Sequence, residues 1–108
     1  MIEKIIIEYL NRYIRAYLEM PKNIPERFVL VEKTGGSREN CINRATVAVQ
    51  SYAGSLTGAA ELNEEIKEAM LKMTELETIG SCELNRDAYF PDTTTKKYRY
   101  QAVFDIAY

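Results

Sequence analysis

Residues 31–40 read VEKTGGSREN, two glycines between a threonine and a serine with a lysine and an arginine on either side. A stretch of this kind can cradle a phosphate when a strand precedes it and a helix N-terminus follows, because backbone amides then point at the anion. Here the pattern continues into NCINRATVAVQSYA, where Ala45, Val47 and Val49 alternate with Arg44, Thr46 and Gln50, the period of a strand. Neither GxGxxG nor GK[ST] occurs in the chain. The expectation is therefore a hairpin turn, with Gly35 and Gly36 supplying the positive φ that tight turns require.

Other chemistry is sparse. The chain has no histidine, which removes the commonest general base, the commonest metal ligand and every Ser-His or Cys-His nucleophile pair. No pair of carboxylates is placed for acid–base work, so an enzyme is not expected, and no cofactor is. Glu64, Glu65 and Glu68 cluster without a histidine or a ligand-rich loop beside them, and a metal site there is not expected. Cys41 and Cys82 fit no ligand spacing and are expected as two buried thiols.

The elements that must position these residues come next. The apolar residues Ile2, Ile5, Ile6, Tyr9, Leu10 and Tyr13 fall on one helical face, opposite Glu3, Lys4, Glu8, Asn11 and Arg12. The period changes near Ile14, where Ala16 and Leu18 alternate with Arg15 and Tyr17, as a short strand or as the helix running on. Pro21 and Pro25 frame an irregular connection. RFVLVEKT is β-branched and aromatic, a strand. After Ala53, with Ser55 or Thr57 as cap, a long helix carries Leu56, Ala59, Ala60, Leu62, Ile66, Ala69, Met70, Met73 and Leu76 at helical spacing. Its other face is acidic, with Glu61, Glu64, Glu65, Glu68, Glu75 and Glu77 against Lys67 and Lys72. Gly80 is expected to close the helix. SCELNRDAYF is a further strand stopped by Pro91, DTTTKK a polar connection, and KKYRYQAVFDIAY a long final strand. In that last strand Tyr98, Tyr100, Ala102, Phe104, Ile106 and Tyr108 alternate with Lys97, Arg99, Gln101 and Asp105.

At 108 residues, 46% hydrophobic and 28% charged, the chain is expected to form one domain over residues 1–108. The predicted class is α+β: a two-layer sandwich in the order α-(β)-β-β-α-β-β, an antiparallel or mixed sheet with two helices on one face. A net charge of −2 gives no global pull toward nucleic acid or anionic lipid. No apolar run approaches the ~20 residues that span a bilayer, and the first residues do not read as a signal peptide. A membrane partner is not expected. The tyrosines of the last strand can stack bases, as single-strand binders do, but they occupy the face that must cover the helices. Lys33, Arg38, Lys96, Lys97 and Arg99 are read as a basic cluster which, with Glu32 and Asp105 nearby, makes a mixed protein-contact surface.

Three stretches, VEKTGGSREN, VQSYA.SL..AAELNEE and DTTTKKYRYQAVFDI, resemble those of small proteins from long-tailed phages and prophages of Gram-positive bacteria, of the tail terminator or tail completion family. The resemblance runs from about Pro25 onward. It implies an α+β domain that assembles as a ring, typically six-fold, on the head-proximal end of the tail tube. Such a ring ends tube polymerisation and presents a joining surface to the head connector. The implied partners are other copies of the chain, the tail tube protein and the head-tail connector protein. The implied location is the virion tail or neck, and the host cytoplasm during assembly. No catalytic residue is implied. A closed ring joins unlike patches head to tail, and the acidic residues Glu61, Glu64, Glu65 and Glu68 facing Lys33, Arg38, Lys96, Lys97 and Arg99 are the candidate contacts. A head-tail connector, or a small module that binds single-stranded nucleic acid, are the other readings.

Overall fold

The computed structural model describes residues 1–94 and 96–108. Thr95, within the expected DTTTKK connection, lies outside the described residues. The elements run α1 (Ile2–Leu10), β1 (Ala16–Tyr17), β2 (Phe28–Glu39), β3 (Ile42–Ala53), α2 (Leu56–Leu71), β4 (Ser81–Tyr89) and β5 (Tyr98–Ala107), with a 3-10 turn at Lys72–Glu75 after α2. This is the expected α+β order. The sheet is mixed, ordered β1-β2-β3-β5-β4, with β1 parallel to β2 and every other pair antiparallel.

Alternation divides the sheet into two faces. Val29, Val31, Ala45, Val47, Val49, Ala102, Phe104 and Ile106 pack with Ile2, Ile6, Tyr9 and Leu10 of α1 and Leu62, Ile66, Ala69 and Met70 of α2 in one core. Both helices therefore cover the same face. The buried Tyr9 hydroxyl donates to the Ala69 carbonyl at 2.8 Å and ties the helices together. Burial, then the neighbouring Tyr13, pushes the Tyr9 phenol up to about 12.

The helix ends differ from expectation. α1 stops at Leu10 because Asn11 turns the chain. Its side-chain amide donates to the Ile7 and Ala16 carbonyls, and its oxygen accepts from the Ala16 amide. This settles the ambiguous stretch after Ile14 as a two-residue strand, and it leaves Tyr13 exposed rather than on the buried stripe. Ser55 caps α2, accepting from the Gly58 amide at 3.0 Å. Leu56, expected in the stripe, sits exposed at the first helical position. Gly80 does not close the helix. α2 gives way to the 3-10 turn, which carries Met73 into the core, and Gly80 instead donates its amide to Ala107 at the start of β4, with no positive φ.

The glycine stretch is corrected too. Gly35 and Gly36 lie inside β2, just past an irregularity in its pairing with β3 between Lys33 and Gly35, and neither has a positive φ. The turn comes four residues later. Glu39 pairs with Ile42, and the two residues between them, Asn40 (φ 51°) and Cys41 (φ 65°), are both left-handed. Two left-handed central residues are what a type I′ hairpin loop requires.

Candidate protein interface

Strand pairing places the five basic candidates at different heights. Lys33 lies in the row of Val47 and Phe104, near mid-sheet. Arg38 pairs with Asn43, which exchanges hydrogen bonds with Tyr108. Lys96, Lys97 and Arg99 lie at the opposite end, beside Tyr98 and its partner Ala53. Nine residues of strand separate Arg99 from Tyr108, or roughly 30 Å at the usual rise. The expected basic cluster is therefore two separate groups. Sequence alternation gave Lys33 and Arg99 a shared polarity but no common height along the strands.

Arg99 is not a contact residue in waiting. Its guanidinium donates to the Phe90 carbonyl at 2.7 Å, the Tyr52 hydroxyl at 2.9 Å and the Pro91 carbonyl at 3.3 Å, with the Asp92 carboxylate 3.9 Å away. It also lies 4.2 Å from the Phe90 ring centroid and 5.6 Å from that of Tyr52. The Tyr52 ring stacks on Phe28 at 4.7 Å, and Phe28 meets Tyr17 edge-on at 6.1 Å. One ladder, Tyr17, Phe28, Tyr52, Arg99 and Phe90, thus runs through β1, β2, β3 and β5 to the residue just past β4, on the face away from the helices. Burial raises the Tyr52 phenol, and Arg99 opposes the shift. Alternation put Arg99 on a polar face; that face is largely aromatic at this end, and the guanidinium is spent inside it.

Lys97 approaches Glu26 at 4.0 Å. Lys96 is exposed in a left-handed conformation, φ 59°. Lys33 folds back along its own strand, so that a Cβ on Gly36 would sit 2.9 Å from its Cε.

The acidic face of α2 is exposed as expected at Glu61, Glu64, Glu65 and Glu68, and it is partly neutralised from within. Glu65 pairs with Arg27. Lys67 bridges Glu64 at 2.7 Å and Asp87 of β4 at 2.6 Å, and Asp87 also accepts from Asn63 at 2.7 Å. Asp87, then Glu64, raises the Lys67 ammonium above its ordinary value. This relay fastens α2 to the outermost strand, and leaves Glu61 and Glu68 as the outward charges of the four. Beside Glu68, a hollow of about 520 Å³ opens between the helices, lined by Arg12, Tyr13, Arg27, Glu65 and Lys72 among others.

A second hollow of about 530 Å³ lies across the lower sheet, lined by Ser37, Arg44, Thr46, Glu83 and Asp105 among others. Its carboxylate at Asp105 is held by the Thr46 hydroxyl at 3.1 Å and the Asn85 amide at 2.7 Å. The cysteines are unlike one another. Cys82 is buried, as expected, and burial pushes its thiol up to about 11. Cys41 is exposed, because it forms the hairpin turn. Both are free.

This surface carries charges of both signs and two open hollows. No protein-family model matches the chain, and no curated protein matches it in sequence.

Proposed function

We propose that this chain is a structural phage protein that caps the head-proximal end of the tail tube, ending tube polymerisation and offering the joining surface for the head connector. The observation that carries this reading is the resemblance of VEKTGGSREN, VQSYA.SL..AAELNEE and DTTTKKYRYQAVFDI to tail terminator proteins. The geometry is compatible with it in one respect. A ring subunit needs two unlike surfaces, and this molecule has them: an acidic outer helix face with Glu61 and Glu68, and a separate, charge-mixed sheet. The partners in this reading are further copies of the chain, the tail tube protein and the head-tail connector protein.

The test is electron microscopy of lysates from a host whose prophage lacks this gene. Overlong tubes beside tailless filled heads are expected. Tails of ordinary length, detached from heads, would instead make the protein a head-tail connector.

A second reading rests on Tyr89 and Tyr98, both exposed near Lys96 at one end of the sheet. Exposed rings beside a cation are what stacking on single-stranded nucleic acid uses. A salt-dependent band shift with single-stranded DNA favours it; an unshifted band at low salt removes it.

A further inference from the structure

Both edges of the sheet are open. Among the described residues β1 covers β2 only at Val29 and Leu30, and from Val31 onward β2 has no outer strand neighbour. β4 has none along Ser81–Tyr89 among the described residues. Residues 32–39 and 83–89 are exposed throughout. An unpaired strand edge presents N–H and C=O groups ready to pair with another chain.

The two edges fit each other. β2 runs antiparallel to β3, β3 to β5 and β5 to β4, so β2 and β4 point in opposite directions. A second copy set beside the first in the same orientation brings its β2 antiparallel to β4. Row by row, Glu32 pairs with Ala48, Ala48 with Val103, and Val103 with Arg86. Glu32 and Arg86 therefore stand in one row, on the face away from the helices, at opposite edges and with opposite charge. Neither makes an ion pair among the described residues. Asp87, the next charge on β4, is already held by Asn63 and Lys67. The pairing of both edge strands is interrupted at nearly the same height, between Lys33 and Gly35 and between Leu84 and Arg86. Such irregularities and edge charges discourage indiscriminate pairing, and here they leave Val31 and Glu32 level with Asp87 and Arg86, between the end of the β1 cover and the two irregularities.

We propose that a second copy of this chain adds its β2 to β4 as an antiparallel continuation of the sheet, with Glu32 of one copy opposite Arg86 of the next. The contact is head to tail, so repetition closes into a ring or runs on as a filament. It supplies the subunit contact of the proposed terminator ring and rests on that reading for its biological setting.

Directly opposed residues of an antiparallel pair have Cα atoms about 4.5–5.5 Å apart, within reach of a disulfide. The experiment uses Glu32→Cys and Arg86→Cys, each with Cys41→Ser to remove the exposed native thiol, in the free protein at high concentration and on purified tails. Under mild oxidation the mixture of the two variants is expected to give cross-linked dimer, either variant alone little, and the doubly substituted chain a ladder of multimers. A mixture yielding no more dimer than the single variants, in both settings, overturns the proposal. Glu32→Lys or Arg86→Glu alone should weaken self-association by up to about five-fold, and the two together should restore it. Overlong tubes on gene deletion without the mixed cross-link would keep the terminator reading and overturn the edge contact. The mixed cross-link with normal tails on deletion would do the reverse.

Discussion

Arg99 donates to two backbone carbonyls of the β4–β5 connection and to a phenol of β3, while its plane rests near the Phe90 ring. A guanidinium suits this role because its donors are fixed in a planar fork, which an ammonium cannot imitate. Arg99→Met should destabilise the fold by about 2 kcal/mol, since it strips the Tyr52 hydroxyl and the Phe90 and Pro91 carbonyls of a charged donor at once. Arg99→Lys should recover only part of that. Chemical denaturation of the three proteins checks the order; a lysine variant as stable as the parent would mean that charge alone matters here. The sequence showed an arginine on the polar side of an alternating strand and nothing of this. What it lacked was the neighbour relation: only the sheet order brings Tyr52 of β3 and Phe90, just past β4, to either side of Arg99. Asn11 is equally silent in the sequence, one polar residue on a helical face, yet its side chain ends that helix.

Elements are more legible than single side chains, because their period repeats along the chain. Helical spacing in α1 and α2 and alternation in β5 follow directly from which faces are buried, and those patterns survive in the structure, whereas in β3 the alternation ends at Val47, and Ala48, Gln50 and Tyr52 are buried on the opposite face as well. The hairpin loop was misplaced because glycine is the usual sign of a positive φ, and the Gly35–Gly36 pair drew the turn toward itself. Asn40 and Cys41 occupy the left-handed positions instead, at a cost of roughly 1–2 kcal/mol for an ordinary side chain there. Cys41→Gly should therefore stabilise the protein by about 1 kcal/mol, completing the Asn-Gly pair that type I′ loops favour. Gly35→Ala should be neutral or stabilising by up to roughly 1 kcal/mol, because a Cβ there meets nothing within 4 Å and the unfolded chain loses freedom. Thermal melts of the two variants separate the readings: a turn at the glycines predicts that Gly35→Ala is the damaging change.

The whole molecule is a sheet covered unequally, by two helices over one face and by an aromatic ladder near one end of the other. Groups that resist ionisation lie under both coverings. Cys82 and Tyr9 belong to the helix-side core, and Tyr52 to the ladder. In each, burial is the largest cause and raises the folded pKa above the unfolded value, to about 11 for Cys82 and about 12 for Tyr9. Their neutral forms are the ones folding favours, so the stability they contribute is intact below about pH 9. It is lost as the pH rises from there through 11 and 12. Melting temperatures at pH 8, 10 and 11 should fall in that order, and an unchanged value at pH 11 would mean these groups ionise without opening the core. At this scale the class and element order were legible from hydrophobic period alone. The interface was not, because the rows that join Glu32 to Arg86 run through four strands and no pattern along the chain records them.

The strand order has a consequence for synthesis on the ribosome. Of the sheet's five strands β5 is made after the other four, yet it lies between β3 and β4. Until it arrives, β3 keeps an open inner edge and β4 has no strand to pair with, so the nascent chain can complete only the β1-β2-β3 part of its sheet. That interval exposes Val47, Val49 and the apolar side of α2 without Phe104 and Ile106 to cover them, when unpaired edges are most prone to join the wrong neighbour. The sheet can close only when β5 enters between β3 and β4.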